Sequence, residues 1–281
     1  MKAKKTKLGL PKIEYVGKRI SAQGMSMSEN RIRAFLDIPR PGTITDLRRF
    51  LGVANYFHQF IAKHSSIATY LHALIKPKQS KSTSLVWTPL SQTAFDTLRE
   101  LISNCPLLRF PDDSAPIILH TDASDFGIWG VLFQTIDEVE NPIAFVSKSL
   151  TKVQLRWSVV QKEAYAVFYC CTQLDYLLRD RRFIIETDHR NLTYIQKNTN
   201  SMVIRWDIAI QELDFTLRFI KGKDNEIADS MSRLCTNLIT DVDLMQAAIH
   251  ILSDVTGDQL EGLQTCHNSK VGHGGVDRTI A

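Results

Sequence analysis

Long apolar runs are what this chain of 281 residues lacks most plainly. None approaches the roughly 20 residues that a membrane-spanning helix needs. The start, MKAKKTK, is basic but has no apolar stretch behind it, so no signal peptide is read there. Cysteine is sparse: Cys105, Cys170, Cys171, Cys235 and Cys266 form no CxxC and no regular spacing. A reduced, intracellular protein, in cytoplasm or nucleus and without membrane attachment, is the expectation. Repeats and coiled-coil heptads are absent too, which sets a purely structural role last among the alternatives.

What is present is a core-forming composition and an uneven charge. Length allows one or two domains. Residues 1–109 hold 18 Lys and Arg against 6 Asp and Glu; residues 110–281 hold 16 against 24. A basic half joined to an acidic half suggests a grip on a polyanion beside an acidic metal site. An ordinary solvated surface gives the same numbers, so the split decides nothing by itself.

Along the basic half, Ile13–Ile20 reads as a strand and Gly24 as a turn. Helices are expected over Ser28–Ile38, from Thr43 or Thr45 to Ile61, over Ile67–Ile75 and over Pro89–Ser103. Leu47, Phe50, Leu51, Ala54, Phe57 and Ile61 recur at helical spacing as a core stripe. Arg48, Arg49, Asn55, His58 and Gln59 lie opposite, suited to phosphates or simply to water. Composition turns from basic to acidic between Pro106 and Pro116, where the domain boundary is placed.

The acidic half is organised around PIILHTDASDFGIWGVLFQ (116–134). Two apolar runs joined by a Gly-containing turn predict a hairpin. Asp122 ends its first strand, as a turn cap or as a rigidly held carboxylate. Pro142–Ser147 is a third strand and Gln154–Leu178 a long helix. Glu163 lies about 60° from the centre of that helix's apolar stripe, at the edge of the buried face. A solvated Glu is the ordinary alternative there. Arg182–Asp188 is a fourth strand, again ending on a carboxylate. Helices over Asn191–Gln196 and Ser201–Leu213 and a strand over Phe215–Ile220 follow. After the Gly222–Asn225 turn, EIADSMSRL is a last helix with Asp229 in its first turn. This order predicts an α/β fold: a mixed five-stranded sheet with flanking helices, preceded by a small, mainly helical region. A crossover between the first and fourth strands brings Asp122 and Asp188 together. With Glu163 and Asp229 they make four carboxylates whose mutual repulsion divalent cations would relieve. Oxygen-only donors select Mg²⁺ first and Mn²⁺ second. Two such ions about 4 Å apart clamp both oxygens of an in-line phosphoryl displacement.

TDAS (121–124), Lys162-Glu163, TDH (187–189), RWDIAIQELDF (205–215) and GKDNEIADSMSRL (222–234) together resemble the ribonuclease H domain of gypsy-class retrotransposon polyproteins. RRFLGVANYFHQFI (48–61) resembles the segment that joins reverse transcriptase to that domain. The resemblance runs from about Lys12 to Leu234. It implies the ribonuclease H-like fold, a thumb- or connection-like region over 1–110, and a ribonuclease H domain over 111–234. It also implies that Asp122, Glu163, Asp188 and Asp229 are the metal-binding catalytic set, acting on the RNA strand of an RNA–DNA hybrid.

Three departures accompany it. Trp129 stands where the family usually has Gly, and obstruction of packing or of substrate is expected from so large a ring. No His lies between His189 and Asp229, so the proton-shuttling His of many relatives is not expected. The polymerase Tyr-x-Asp-Asp is not found ahead of Asp112-Asp113, so polymerisation is not expected of this chain alone and the polymerase portion is an expected partner. Residues 235–265 read as an acidic linker with a helix near Val242–Leu252. CHNSKVGHGGVDRT (266–279) resembles the opening of an integrase zinc-binding domain, with His267 and His273 as an incomplete zinc pair. The alternative functions are a catalytically silent retroelement remnant that only binds nucleic acid, and a transposase- or resolvase-type nuclease on the same fold. The upstream resemblance speaks against the second of these.

Overall fold

The computed structural model describes residues 9–76, 79–188 and 200–220. The expected helix over Asn191–Gln196, the helix carrying Asp229, the linker and the His267/His273 pair lie outside the described residues.

The basic half opens with an antiparallel meander of β1 (Lys12–Tyr15), β2 (Lys18–Ser21) and β3 (Gly24–Met27). The single strand expected over Ile13–Ile20 is therefore two. Val16 and Gly17, at φ +48° and +72°, make the tight turn between them, a left-handed pair that matches the twist of a hairpin. Gly24 starts β3 at φ +137°. A Cβ there would stand 2.1 Å from the Leu108 carbonyl oxygen, because Met25 and Leu108 exchange backbone hydrogen bonds at 2.7 and 2.9 Å.

Four helices follow: α1 (Glu29–Leu36), α2 (Ile44–Asn55), α3 (His64–His72) and α4 (Pro89–Ser103). Capping boxes, Thr43 with Asp46 and Thr88 with Ser91, start α2 and α4, each satisfying two otherwise orphaned backbone donors. The expected long helix to Ile61 stops at Asn55, and a 3₁₀ turn over His58–Phe60 replaces its last part. His58 Nδ1 lies 2.6 Å from the Asn55 carbonyl, which a continuing helix would have offered to Gln59. The apolar stripe survives the break: Leu47, Phe50, Ala54, Phe57 and Ile61 are all buried. Phe50 bridges Phe35 and Phe95 at ring distances of 5.1 and 4.8 Å.

The second sheet comprises β4 (Ile117–Ala123), β5 (Gly127–Ile136), β6 (Val139–Ser149), β7 (Phe183–Thr187) and β8 (Phe215–Phe219). Its order is β6-β5-β4-β7-β8, antiparallel from β6 to β4 and parallel from β4 to β8. That is the mixed five-stranded sheet expected. Pro142, which has no N–H to donate, falls on edge strand β6 beside the register shift at Leu132/Phe133, where a ladder tolerates proline.

One helix over Gln154–Leu178 was expected, and three segments stand there. A 3₁₀ turn covers Gln154–Arg156, α5 runs from Val159 to Gln173, and α6 covers Asp175–Leu178. The Ser158–Gln161 capping box makes the new start. Ala164, Val167, Cys171 and Leu174 of this stretch pack on Leu119, Leu132 and Ile185 of the sheet. Val203 and Ile210 of α7 (Ser201–Ile210) close the same core. The two halves meet where α3 lies on β6. The Ser65 N–H donates to Ser147 Oγ at 3.1 Å, and Ser149 Oγ donates to the Ser65 carbonyl at 3.0 Å. No described helix is long and apolar enough to cross a membrane.

Candidate active site

The site is assembled by strand register. β4 and β7 are parallel and in phase, with His120 opposite Glu186 as their last pair. Asp122 and Asp188 each lie two residues farther on. An even offset keeps a side chain on its face of the sheet, so both carboxylates leave the same end on the same side.

Glu163 comes from above. Its helix α5 lies across β4 and β5, and Lys162 to Val167 are six consecutive buried residues. Glu163 is 3% exposed, deeper than the edge position that periodicity predicts. A second cover explains the difference. Trp157, Tyr165 and Trp206 gather at mutual ring distances of 5.2 Å and pack with Ile128 and Leu150, so α5 has little solvated face at that level.

One oxygen from each of Asp122, Glu163 and Asp188 lies within 4.8 Å of the others. Burial above all, then the carboxylates of Asp122 and Asp188, push the Glu163 pKa up to about 9; a backbone hydrogen bond from Ala123 pulls the other way. Glu163 Oε2 is buried with no hydrogen-bond partner. A buried carboxylate oxygen without a partner is costly, and a hard cation is the group that satisfies it. The donor set is all oxygen, which suits Mg²⁺ or Mn²⁺. The triad thus fits a divalent cation on its own geometry. Asp229, the fourth expected member, lies outside the described residues.

Residues 112–213 match the family described as the RNase H-like domain found in reverse transcriptase. The chain is 29% identical over 270 residues to the retrovirus-related Pol polyprotein of transposon opus from Drosophila melanogaster, covering 92% of this chain and 26% of that one. It is 32% identical over 229 residues to the transposon Tf2-3 polyprotein of Schizosaccharomyces pombe, covering 79% of this chain and 17% of that one. Residues 112–213 are an RNase H-like domain of the reverse-transcriptase kind, and the chain's homologues are retrotransposon Pol polyproteins. The chain spans about a quarter or less of those relatives' length. Among solved structures, a foamy viral protease-reverse transcriptase in complex with double-stranded DNA has the same fold, with TM-score 0.63 at 17% identity over 75% of this chain and 38% of that one.

Three side chains beside the triad, two within the RNase H-like domain and one outside it, were not read as site residues. Trp129 pairs with Asp122 across the hairpin, and its indole N–H donates to Asp122 Oδ2 at 2.8 Å. The signal was arithmetic: a turn centred between Asp125 and Phe126 places residue 129 opposite 122. The ring does not obstruct packing, since it is 5% exposed and tilts against His120 at 5.6 Å. Lys63, on the other half of the chain, holds its Nζ 5.0 Å above the Trp129 ring, a contact no local pattern announces. Lys162, beside Glu163, turns away to pair with Asp125 Oδ1 at 2.8 Å. A lysine on that helical turn would otherwise compete for the triad as a counter-ion.

Proposed function

We propose that the chain carries a divalent-metal-dependent endonuclease that cuts the RNA strand of RNA–DNA hybrids, as part of a retrotransposon reverse transcriptase and ribonuclease H polyprotein. One observation carries the reading: a buried, unpartnered Glu163 oxygen sits between two strand-end carboxylates, Asp122 and Asp188. Such a cluster is unfavourable without a cation and useful with one. A foamy viral protease-reverse transcriptase of the same fold has been solved with an RNA/DNA hybrid, at TM-score 0.61 and 17% identity, which supports a hybrid as the substrate class.

In this reading Asp122, Glu163 and Asp188 hold the metal, and Asp229 completes the set from the last expected helix. Two Mg²⁺ ions, or Mn²⁺ in their place, would supply the activation of the attacking water and the stabilisation of the leaving oxygen. Asp122 and Asp188 present oxygens from adjacent strand ends, so their spacing is held by the sheet ladder. Glu163 would join them as an ionised ligand, and α5 keeps its carboxylate over the strand ends. Products would carry a 5′-phosphate and a 3′-hydroxyl. Recognition would come from minor-groove shape and the 2′-hydroxyl. The exposed Arg48 and Arg49 of α2 would follow the phosphate backbone, so binding should weaken with salt. We assign residues 1–110 to the reverse-transcriptase connection, 111–234 to the ribonuclease H domain, 235–265 to a linker and 266–281 to the start of a zinc-binding domain.

The test is cleavage of a labelled RNA–DNA hybrid by the purified chain in Mg²⁺ and in EDTA, with double-stranded DNA and RNA as controls. Metal-dependent cutting of the RNA strand alone, abolished in folded Asp122→Asn, is expected. Near-normal cleavage by that variant would sink the assignment.

A further inference from the structure

We propose that Trp129 is a positioning residue for the metal site: its indole N–H fixes the carboxylate of Asp122, and Lys63 keeps the indole in place. The proposal deepens the metal-site reading above and rests on it. Four observations bear on it. The hairpin register sets Trp129 directly opposite Asp122, so the bond spans one rung of the β4–β5 ladder. The N–H to Oδ2 distance is 2.8 Å, a full-strength hydrogen bond to a charged acceptor. The ring is 5% exposed, so water does not compete for the bond. The Lys63 ammonium lies 5.0 Å from the ring centroid, within cation–π range.

The physics is that of a metal's outer shell. The terminal torsion of an aspartate is soft, and an unrestrained carboxylate samples orientations that present its oxygens badly. Indole nitrogen is a donor only. It therefore occupies one lone pair of Oδ2 and leaves the remaining oxygen sites for a cation. Lys63 sits at φ +53°, immediately before α3, a left-handed conformation that is uncommon for lysine. It aims the side chain from the helical half into the RNase H-like domain. Together with the Ser65–Ser147 and Ser149–Ser65 bonds, this makes the geometry of Asp122 depend on a segment outside residues 112–213. Partners of this kind are typically worth about 10–100-fold in metal affinity. A single neutral donor belongs near the lower end.

The experiment is Mn²⁺ binding to the full chain by calorimetry without nucleic acid, for the wild type and Trp129→Phe, with melting of each in EDTA. Phe keeps an aromatic face and removes the N–H. The expected result is about tenfold weaker Mn²⁺ binding in a variant that still melts cooperatively. The Mg²⁺ concentration for half-maximal cleavage should rise by a similar factor, and the rate should recover at saturating Mg²⁺. A purely structural role for Trp129 would not move the metal midpoint in that way. Unaltered Mn²⁺ affinity in folded Trp129→Phe overturns the proposal alone. Failure of the wild type to bind Mn²⁺ overturns the metal-site reading and this proposal with it. If Trp129→Phe does not fold, Lys63→Gly decides: it suits the left-handed backbone and removes the side chain that carries the cation. Weaker Mn²⁺ binding by that variant is expected, and wild-type binding overturns the proposal.

Discussion

Gly130 and Cys170 are in such close approach that a Cβ on the glycine would stand 2.7 Å from the Cys170 Sγ and 3.1 Å from the His120 carbonyl oxygen. Gly130 is in the middle of β5, and Cys170 is on the underside of α5 two turns beyond Glu163. Backbone flexibility is not the reason for this glycine; the helix simply rests on it. Gly130→Ala should therefore lift α5 from the sheet and cost about 1–3 kcal/mol. Hybrid cleavage should fall more than stability does, because the lift also moves Glu163. Adding Cys170→Ala removes the nearer clash and should restore part of both. Denaturant melts and cleavage rates of the single and double variants check this; an additive double variant would show that Sγ is not the obstacle.

The way this site forms also shows what a sequence exposes. Strand ends were legible because each carboxylate follows an apolar run, and the expected crossover set those ends side by side; the β4–β7 register itself was not legible. The existence of α2 and α5 was legible from periodicity. Their true ends were not. Phe57 and Trp157 look like any other apolar member of a stripe, yet α2 stops short of one and α5 starts just past the other. Local competition decided both ends: the Asn55 carbonyl taken by His58, and the capping box begun by Ser158. Trp206, about forty residues away, covers Trp157 and Tyr165, so how little of α5 meets water could not be read from α5 alone. The contact of Lys63 with Trp129 lies farther still from any local pattern.

Beneath the site, Glu186 is 3% exposed and forms an ion pair with Arg218 on the neighbouring strand. Burial raises its pKa, but the nearby His120 imidazole and the Arg218 guanidinium outweigh that and leave it lowered. His120 Nδ1 is 3.9 Å from Glu186, too long for a hydrogen bond, so the guanidinium is the main partner. Glu186→Ala should destabilise by about 1–3 kcal/mol, mainly through lost packing and hydrogen bonding, because Arg218 is half exposed and can turn to water. Glu186→Leu, which refills the volume, should recover most of the loss. Chemical denaturation of both variants distinguishes a stranded charge from lost packing.

His64 predicts the acid limb of stability. Burial first, and then the charge of His58, lower its pKa to about 4, against a raising hydrogen bond with Ala54. In the unfolded chain it titrates near the ordinary histidine value of 6.5. Between those values the unfolded state binds the extra proton, so the stabilising contribution is complete above about pH 6.5 and is lost as pH falls toward 4. The slope is about 1.4 kcal/mol per pH unit at most. His64→Leu, which keeps the volume beside Leu51 and Ala68, should flatten the melting-temperature profile between pH 6.5 and 4. A profile as steep as the wild type's would assign acid sensitivity to the carboxylates instead.

Glu163 should give the opposite slope in a different window. Its ordinary pKa is 4.5, and the fold raises it to about 9. Between those values the folded state holds a proton that the unfolded state has released, so folding takes up a proton and stability falls as pH rises. The cost is absent below about pH 4.5 and grows by up to about 1.4 kcal/mol per unit above it. Glu163→Gln is neutral throughout and escapes it. In EDTA the variant should melt higher than the wild type at pH 8, with the difference shrinking toward pH 5. With Mg²⁺ the order should reverse, because the wild type gains binding energy that the variant cannot. Hybrid cleavage by Glu163→Gln should be lost at every pH tested. Equal melting of the two proteins at pH 8 in EDTA would mean that the Glu163 carboxyl is not held in the strained, cation-ready state from which the mechanism starts.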